Sequence, residues 1–214
     1  MKTISFWLIF SLILGLAPAC SNKENKEEKK PTPDTTTRIN IPVNSINPYT
    51  IVDISPMDIS YFPADYPILK MEKTISTLPL ARIVYSRPHL QGRRLFQNLL
   101  KYDEPWRLGA NESTELELYT DVSIQDKKIK AGRYVLYCIP HADTWTVVFN
   151  TNTDSWGLHP DPTKDLTSFT IPVKQTTNRL EYFTMVFENT ATGTDIVMAW
   201  DNLEARLPII FPVK

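Results

Sequence analysis

Short apolar segments separated by polar turns fill the chain from residue 82 to its C-terminus. In the segment 115–119, Leu116 and Leu118 alternate with glutamates, and this period of two predicts a strand with one buried face. Segment 132–139 is almost continuously apolar, which predicts a central strand. The predicted strands are 82–86, 115–119, 122–124, 128–130, 132–139, 144–149, 168–173, 181–187, 194–200 and 203–211. So many short strands with close turns indicate an all-β fold, either an antiparallel β-sandwich or, as the alternative, a flattened barrel.

Prolines dominate the segment that precedes these strands. Residues 39–80 contain six prolines, and proline is disfavoured inside helices because it lacks a backbone N–H and clashes with the preceding turn. We therefore expect a proline-rich, mostly extended N-terminal segment, with one strand at 71–77. Because it is also rich in Ile, Tyr and Phe, this segment is expected to pack against the domain.

One short helix is predicted, over residues 92–102, where Leu95, Leu99 and Tyr102 share a face. The chain has 214 residues, a length that suits one domain better than two. Residues 39–214 are therefore predicted to form a single β-rich domain.

Composition excludes several classes of function. The net charge of −1 provides no field that would attract nucleic acid. None of the six glycines lies within ten residues of another, so neither a dinucleotide-binding loop nor a phosphate-binding P-loop can form. The GxSxG motif is absent as well. Two cysteines exclude a disulfide scaffold and a zinc ribbon. We expect no cofactor.

The first residues resemble a secretory signal peptide, predicted over residues 1–19. Lys2 forms a short positive region, an uncharged apolar run follows over residues 4–16, and small residues end it. The alternative is a permanent membrane span. The uncharged run from residue 3 to residue 19 is at the lower limit for crossing a bilayer, and the proline and cysteine that end it favour cleavage.

Cys20 is the predicted site of lipidation. The residues 16–20 resemble a bacterial lipobox, although Ala17 stands where most lipoboxes have Leu. Ordinary cleavage that leaves Cys20 unmodified is the alternative. A cysteine that carries acyl chains before a polar tether is the arrangement that a lipid anchor requires. The residue after the cysteine is Ser21 rather than Asp, and this resembles the sorting signal of outer-membrane rather than inner-membrane lipoproteins. The expected location is therefore the cell envelope, with the protein attached to the outer membrane through Cys20.

The segment that follows the cysteine is predicted to be a disordered tether. Residues 21–38 contain no apolar side chain, so this stretch cannot bury a core. There are two interpretations of the lysines and glutamates within it. They form a signal for export or spacing, or they simply keep a solvated tether in water.

Several unusual residues stand in an order that resembles a known family. They are Ser86-Arg87-Pro88, Gly92-Arg93, Phe96, the run Trp-Arg-Leu-Gly-Ala-Asn-Glu at 106–112, Thr114, residues 131–134, Ile139-Pro140, Trp145, Asn150 and Trp156-Gly157. This series resembles the family named domain of unknown function 2911, over about residues 53–211. Gln97 departs from the family, which usually has Gly there. The resemblance implies one compact β-rich domain in a secreted or lipid-anchored protein of a Gram-negative bacterium, and it implies no activity.

Arginines cluster in the same part of the chain and indicate a candidate binding site. Arginine forks bind carboxylates and phosphates through paired hydrogen bonds, so a small anionic or sugar ligand is one interpretation. The candidate ligand-binding residues are Arg87, Arg93, Trp106, Arg107, Asn111 and Glu112. The alternative is structural: Arg87, Arg107 and Glu112 would tie a long loop to the sandwich by buried ion pairs, and Trp106 would fill the core.

No residue pattern points directly to catalysis or to a metal. The three histidines show no metal-ligand spacing, and Cys138, within a predicted strand, is expected to be a buried small hydrophobe. A hydrolase acting on envelope glycan or phosphate groups remains the alternative function, with Glu112 as acid or base and an arginine that holds the anion. Asp103, Glu104 and Glu112 are the candidates for its carboxylate pair. The absence of catalytic motifs favours a non-catalytic domain that binds a ligand or partner.

Overall fold

The computed structural model describes residues 53–153 and 155–212. The predicted signal peptide, Cys20 and the tether lie outside these residues. The strands within these residues are β1 Met57–Phe62, β2 Ala81–Ser86, β3 Thr114–Leu118, β4 Val122–Ile124, β5 Lys127–Ile129, β6 Gly132–Pro140, β7 Thr144–Asn150, β8 Asp165–Asn189 and β9 Gly193–Ile210. The helical elements are α1 Tyr66–Met71, a π-helix at Leu95–Leu99 and a 3-10 helix at Pro162–Lys164. None of the helices described is long and apolar enough to cross a membrane.

The strands form one antiparallel sheet that folds over on itself. Their order is β1-β2-β3-β6-β7-β8-β9-β4-β5. The long strand β8 takes part in both layers of the folded-over sheet. Its first part pairs with β7, and from Val173 onward it pairs with β9. The second part faces the opposite layer, where the ring of Phe183 meets Tyr85 of β2 with centroids 5.8 Å apart. The predicted antiparallel β-sandwich is therefore confirmed. Among the described strands, no pairing joins β1 to β5 and closes a barrel.

Alternating side chains account for the shared core. In β3, Leu116 and Leu118 are buried, whereas Glu115 and Glu117 are more exposed. Strand β6, between β3 and β7, is buried at five consecutive positions, as expected of a central strand. Its Cys138 is fully buried, and burial raises the pKa of the thiol. Cys138 is the small hydrophobe that the sequence predicted.

The structure differs from the local predictions at three places. Residues 66–71 form a helix in the segment predicted to be extended, and 71–77 contains no strand. Pro67 lies in the first turn of α1, where its missing N–H costs no hydrogen bond. The helix predicted at 92–102 is a single π-helical turn of five residues. That turn buries Leu95 and Leu100, while the backbone on each side of it is extended.

The predicted strands in the last third of the chain are shorter than the real ones. Segments 168–173 and 181–187 belong to β8, and segments 194–200 and 203–211 fall largely within β9. The pairing of β8 with β9 shifts register between Gln175 and Thr184. Such irregularities let a strand bend while it continues, which explains why polar residues interrupt the alternation without ending the strand.

Candidate functional site

The long connection between β2 and β3 carries the candidate site and is anchored to the sheet at two points. Trp106 exchanges two backbone hydrogen bonds with Cys138 of β6, each 2.7 Å long. Gly109 lies so close to the end of β2 that a Cβ atom there would be 3.1 Å from the Ser86 carbonyl oxygen. The Ser86-Arg87-Pro88 and 106–112 segments therefore meet in space where Gly109 approaches Ser86.

A cleft of about 460 Å³ opens beside this junction. The connection supplies one wall, and residues 54–55 and 157–158 supply others. The indole rings of Trp106 and Trp200 lie beneath it with centroids 5.7 Å apart. Among the described residues that line the cleft, three are cationic, Arg93, Lys101 and Arg107, and one is a carboxylate, Glu104. The cleft therefore has an excess of positive charge.

Arg107 is the partly buried cation among the described residues of the cleft lining. Its guanidinium is half-buried and donates through Nη1 to the carbonyl oxygens of Asn111 and Trp156. Burial lowers the pKa of Arg107, and the charge of Glu112 opposes this effect. Within the described chain, no carboxylate lies within 4.0 Å of the Arg107 guanidinium. Among the described residues, its hydrogen-bond partners are two neutral carbonyl groups.

Arg93 and Lys101 are the exposed cations of the cleft. Arg93 donates to the carbonyl oxygens of Leu90 (2.8 Å) and His89 (2.9 Å), so its own loop holds its guanidinium in place. Lys101 is paired with Glu104 at 3.1 Å, and both side chains are exposed. Neither pairing removes the positive charge from solvent, so both residues can meet an anion that enters the cleft.

Arg87 has a structural place outside the cleft lining. Its guanidinium lies 3.2 Å from Asp58 Oδ2 of β1 and donates to the Phe183 carbonyl and the Thr184 hydroxyl of β8. It also lies over the Tyr182 ring, 5.8 Å from the centroid. The ion-pair partner of Arg87 is thus a residue of β1, and Glu112 is not among its partners in the described chain. Arg87 ties the connection to both layers of the sandwich.

Asn111 and Glu112 also lie outside the cleft lining. The Asn111 amide donates to Asp53 Oδ2 (2.5 Å) and to the Ser55 carbonyl oxygen (3.3 Å). Asn111 thereby holds the segment that contributes Ile54 and Ser55 to the cleft. Glu112 is exposed, and no ion pair joins it to Arg107 in the part of the chain that the structure describes.

Trp106 belongs mainly to the core. It is only 8% exposed, its Nε1 donates to the Gly109 carbonyl oxygen, and its ring packs against Trp145, Phe183 and Trp200. The expectation that Trp106 fills the core thus matches its burial, while part of the residue also lines the cleft.

Sequence reasoning missed several residues of the cleft. Lys101, Ile54, Leu158 and Trp200 come from four different parts of the chain, and no local pattern marks them. Gly157 is an exception, because the Trp156-Gly157 pair stands in the series that carries the family resemblance. Its φ of +83° and its contacts with Ser113 and Arg107 give that pair a structural meaning.

The three carboxylates that the hydrolase hypothesis named, Asp103, Glu104 and Glu112, do not all line the cleft. Glu104 is the single carboxylate among the described residues that line the cleft. Asp103 is instead paired with His141, at the turn between β6 and β7. Across residues 53–153 and 155–212, no group of three or more His, Cys, Asp or Glu side chains is arranged to hold a metal ion.

Comparison with known proteins gives one match. A family model described as "Protein of unknown function (DUF2911)" matches residues 67–209. No match was found among curated proteins or among solved structures.

Proposed function

Because the chain belongs to the DUF2911 family of proteins of unknown function, we propose a function from its own cleft: the domain is non-catalytic and binds a small anionic ligand. The single observation that carries the proposal is the partly buried Arg107 side chain, which lines the cleft. Its guanidinium donates to two carbonyl oxygens and meets no carboxylate among the described residues. A guanidinium that is partly removed from water gains most from a carboxylate or phosphate partner. The described protein supplies none, so a ligand can.

The other charges of the cleft favour the same class of ligand. Arg93 and Lys101 line it with Arg107, against the single carboxylate of Glu104. Opposite charges attract more strongly in a partly enclosed site than on an open surface. An anion is therefore a better match than a neutral sugar, the other ligand that the sequence suggested.

We place this function in the cell envelope. The proposal rests on the apolar run at 4–16 and on Cys20 with its lipobox-like neighbours. A lipid anchor at Cys20 would hold the binding domain at the outer membrane, where the cleft would meet ligands of the periplasm or the cell exterior.

The test is isothermal calorimetry of the full-length protein with inorganic phosphate. We expect binding, and we expect Arg107→Gln and Lys101→Gln each to weaken it about tenfold, the effect of losing one charge-assisted hydrogen bond. Lys101 is exposed, so its substitution tests the cleft without disturbing the fold. Arg94→Gln is the matched control, because Arg94 neighbours Arg93 but does not line the cleft. Phosphate that binds all three variants as tightly as the wild type would refute the proposal, and so would a failure of the wild-type protein to bind phosphate.

A further inference from the structure

Exposed aliphatic side chains line the same cleft as the cations. Ile54 is 61% exposed and Leu158 is 55% exposed. Below them the lining continues through Leu99, Leu100 and Trp106. We call Ile54 and Leu158 the apolar rim.

The structure holds both residues of the rim in place. Asn111 donates to Asp53 and Ser55, on either side of Ile54. Gly157 precedes Leu158 and fits so tightly against Ser113 that a Cβ atom would lie 2.6 Å from its hydroxyl oxygen. Two segments about 100 residues apart in the chain are thus brought to one opening, each presenting an aliphatic side chain to solvent.

Apolar side chains that converge on a cleft with a few polar groups are typical of ligand sites rather than of ordinary surface. The volume of about 460 Å³ lies within the range of sites that enclose small organic molecules. An inorganic anion would contact the cationic residues and leave most of the apolar lining exposed.

We propose that the ligand is an amphiphilic anion, a phosphate or carboxylate group joined to an apolar body. The inference rests on the proposed anion site and adds the chemical class of the ligand. The charged group would meet Arg107, Arg93 and Lys101, and the apolar body would cover Ile54 and Leu158. Both a membrane lipid and a free amphiphilic metabolite have this chemistry.

The experiment compares inorganic phosphate with butyl, hexyl and octyl phosphate, titrated into the full-length protein. Each added methylene that is buried should tighten binding about fourfold, until the cleft is full. Leu158→Ala and Ile54→Ala should reduce the gain in affinity that each added methylene gives to the wild-type protein. Leu166→Ala is the matched control, because Leu166 is 50% exposed and does not line this cleft.

The outcomes separate this inference from the function on which it rests. Equal affinity for all four phosphates would overturn the amphiphilic ligand and leave the anion site standing. Failure to bind any of them would overturn both. Octanol that binds as tightly as octyl phosphate would also overturn the inference, because the charge would then contribute nothing.

A second arm distinguishes the two sources. In this arm the protein is mixed with vesicles that contain phosphatidic acid. If the protein binds them, if octyl phosphate displaces them, and if Leu158→Ala weakens both interactions, the inference is supported with a lipid as the ligand. Binding of soluble octyl phosphate without vesicle binding would support it with a free metabolite.

Discussion

At the scale of single residues, Gly157 positions the main cation of the cleft. Its φ of +83° is in the left-handed region that favours glycine. It lets the chain turn against Ser113 and places the Trp156 carbonyl oxygen where the Arg107 guanidinium donates to it. The conformation of one glycine therefore contributes to the position of the charge on which the proposed function depends.

We predict that Gly157→Ala destabilises the protein by about 2 to 3 kcal/mol, because a left-handed backbone is combined with a steric clash. The control is Gly92→Ala. Gly92 has a similar φ of +74° but no heavy atom within 4 Å of the added Cβ, so we expect only about 1 kcal/mol from the backbone. Chemical denaturation measures both changes. Equal losses for the two variants would show that the contact with Ser113 is not tight.

At the scale of elements, the hairpin of β4 and β5 is stabilised at both ends, by the conformation of its turn and by hydrogen bonds to the Asp121 side chain. The two residues between the strands, Gln125 and Asp126, both have positive φ, as in the turns that match the twist of a two-residue hairpin. At the open end, Asp121 accepts hydrogen bonds from Lys130 Nζ (2.8 Å) and the Ala131 N–H (2.9 Å). These bonds close the hairpin.

The hydrogen bond from Lys130, with that from Ala131, lowers the pKa of Asp121 below its ordinary value of 3.8. A lowered carboxyl pKa contributes stability above the pKa of the unfolded chain, and this contribution is lost as the pH falls through the folded value. We predict an NMR titration midpoint for the Asp121 carboxyl below 3.8.

Lys130→Gln should raise the Asp121 midpoint toward the ordinary value. Lys127→Gln is the control, because Lys127 lies in the same hairpin but donates to Thr167 and Ser168, and it should leave the midpoint in place. A midpoint that Lys130→Gln does not move would show that the ion pair is absent in solution.

At the scale of the whole molecule, the proposed function joins a binding domain to a lipid anchor. The arrangement requires that Cys20 be acylated. A second cysteine in the chain serves as the control for this requirement. Cys138 is the other cysteine. It is buried in β6, and burial raises the pKa of its thiol, so acylating enzymes cannot reach it in the folded protein.

We predict that Cys20→Ala moves the protein from the membrane to the soluble fraction and abolishes incorporation of labelled palmitate. Cys138→Ala should leave both properties as in the wild type. Cell fractionation and metabolic labelling provide the measurements. A Cys20→Ala variant that stays in the membrane pellet, together with an unlabelled wild-type protein, would contradict the lipid anchor.

The sequence by itself determined most of the strands, because their signal is local. Alternation predicts β3, continuous apolarity predicts the buried β6, and a short polar turn predicts the hairpin of β4 and β5. The unusual residues at 86–88 and 106–112 also indicated where a site would lie. The two segments flank one connection, and the structure brings them together.

Only the tertiary structure decided what each residue of the site does. Arg87 and Arg107 have the same side chain, yet Arg87 pairs with Asp58 of an edge strand, whereas Arg107 lines a cleft and, within the described part of the chain, donates to carbonyl oxygens. The two roles differ because Asp58 and Phe183 reach Arg87, whereas Trp156 reaches Arg107, and all three of these partners come from distant parts of the chain. The apolar rim arises in the same way. Ile54 and Leu158 become neighbours of the same opening only when the sandwich has folded, and no short-range pattern records that proximity.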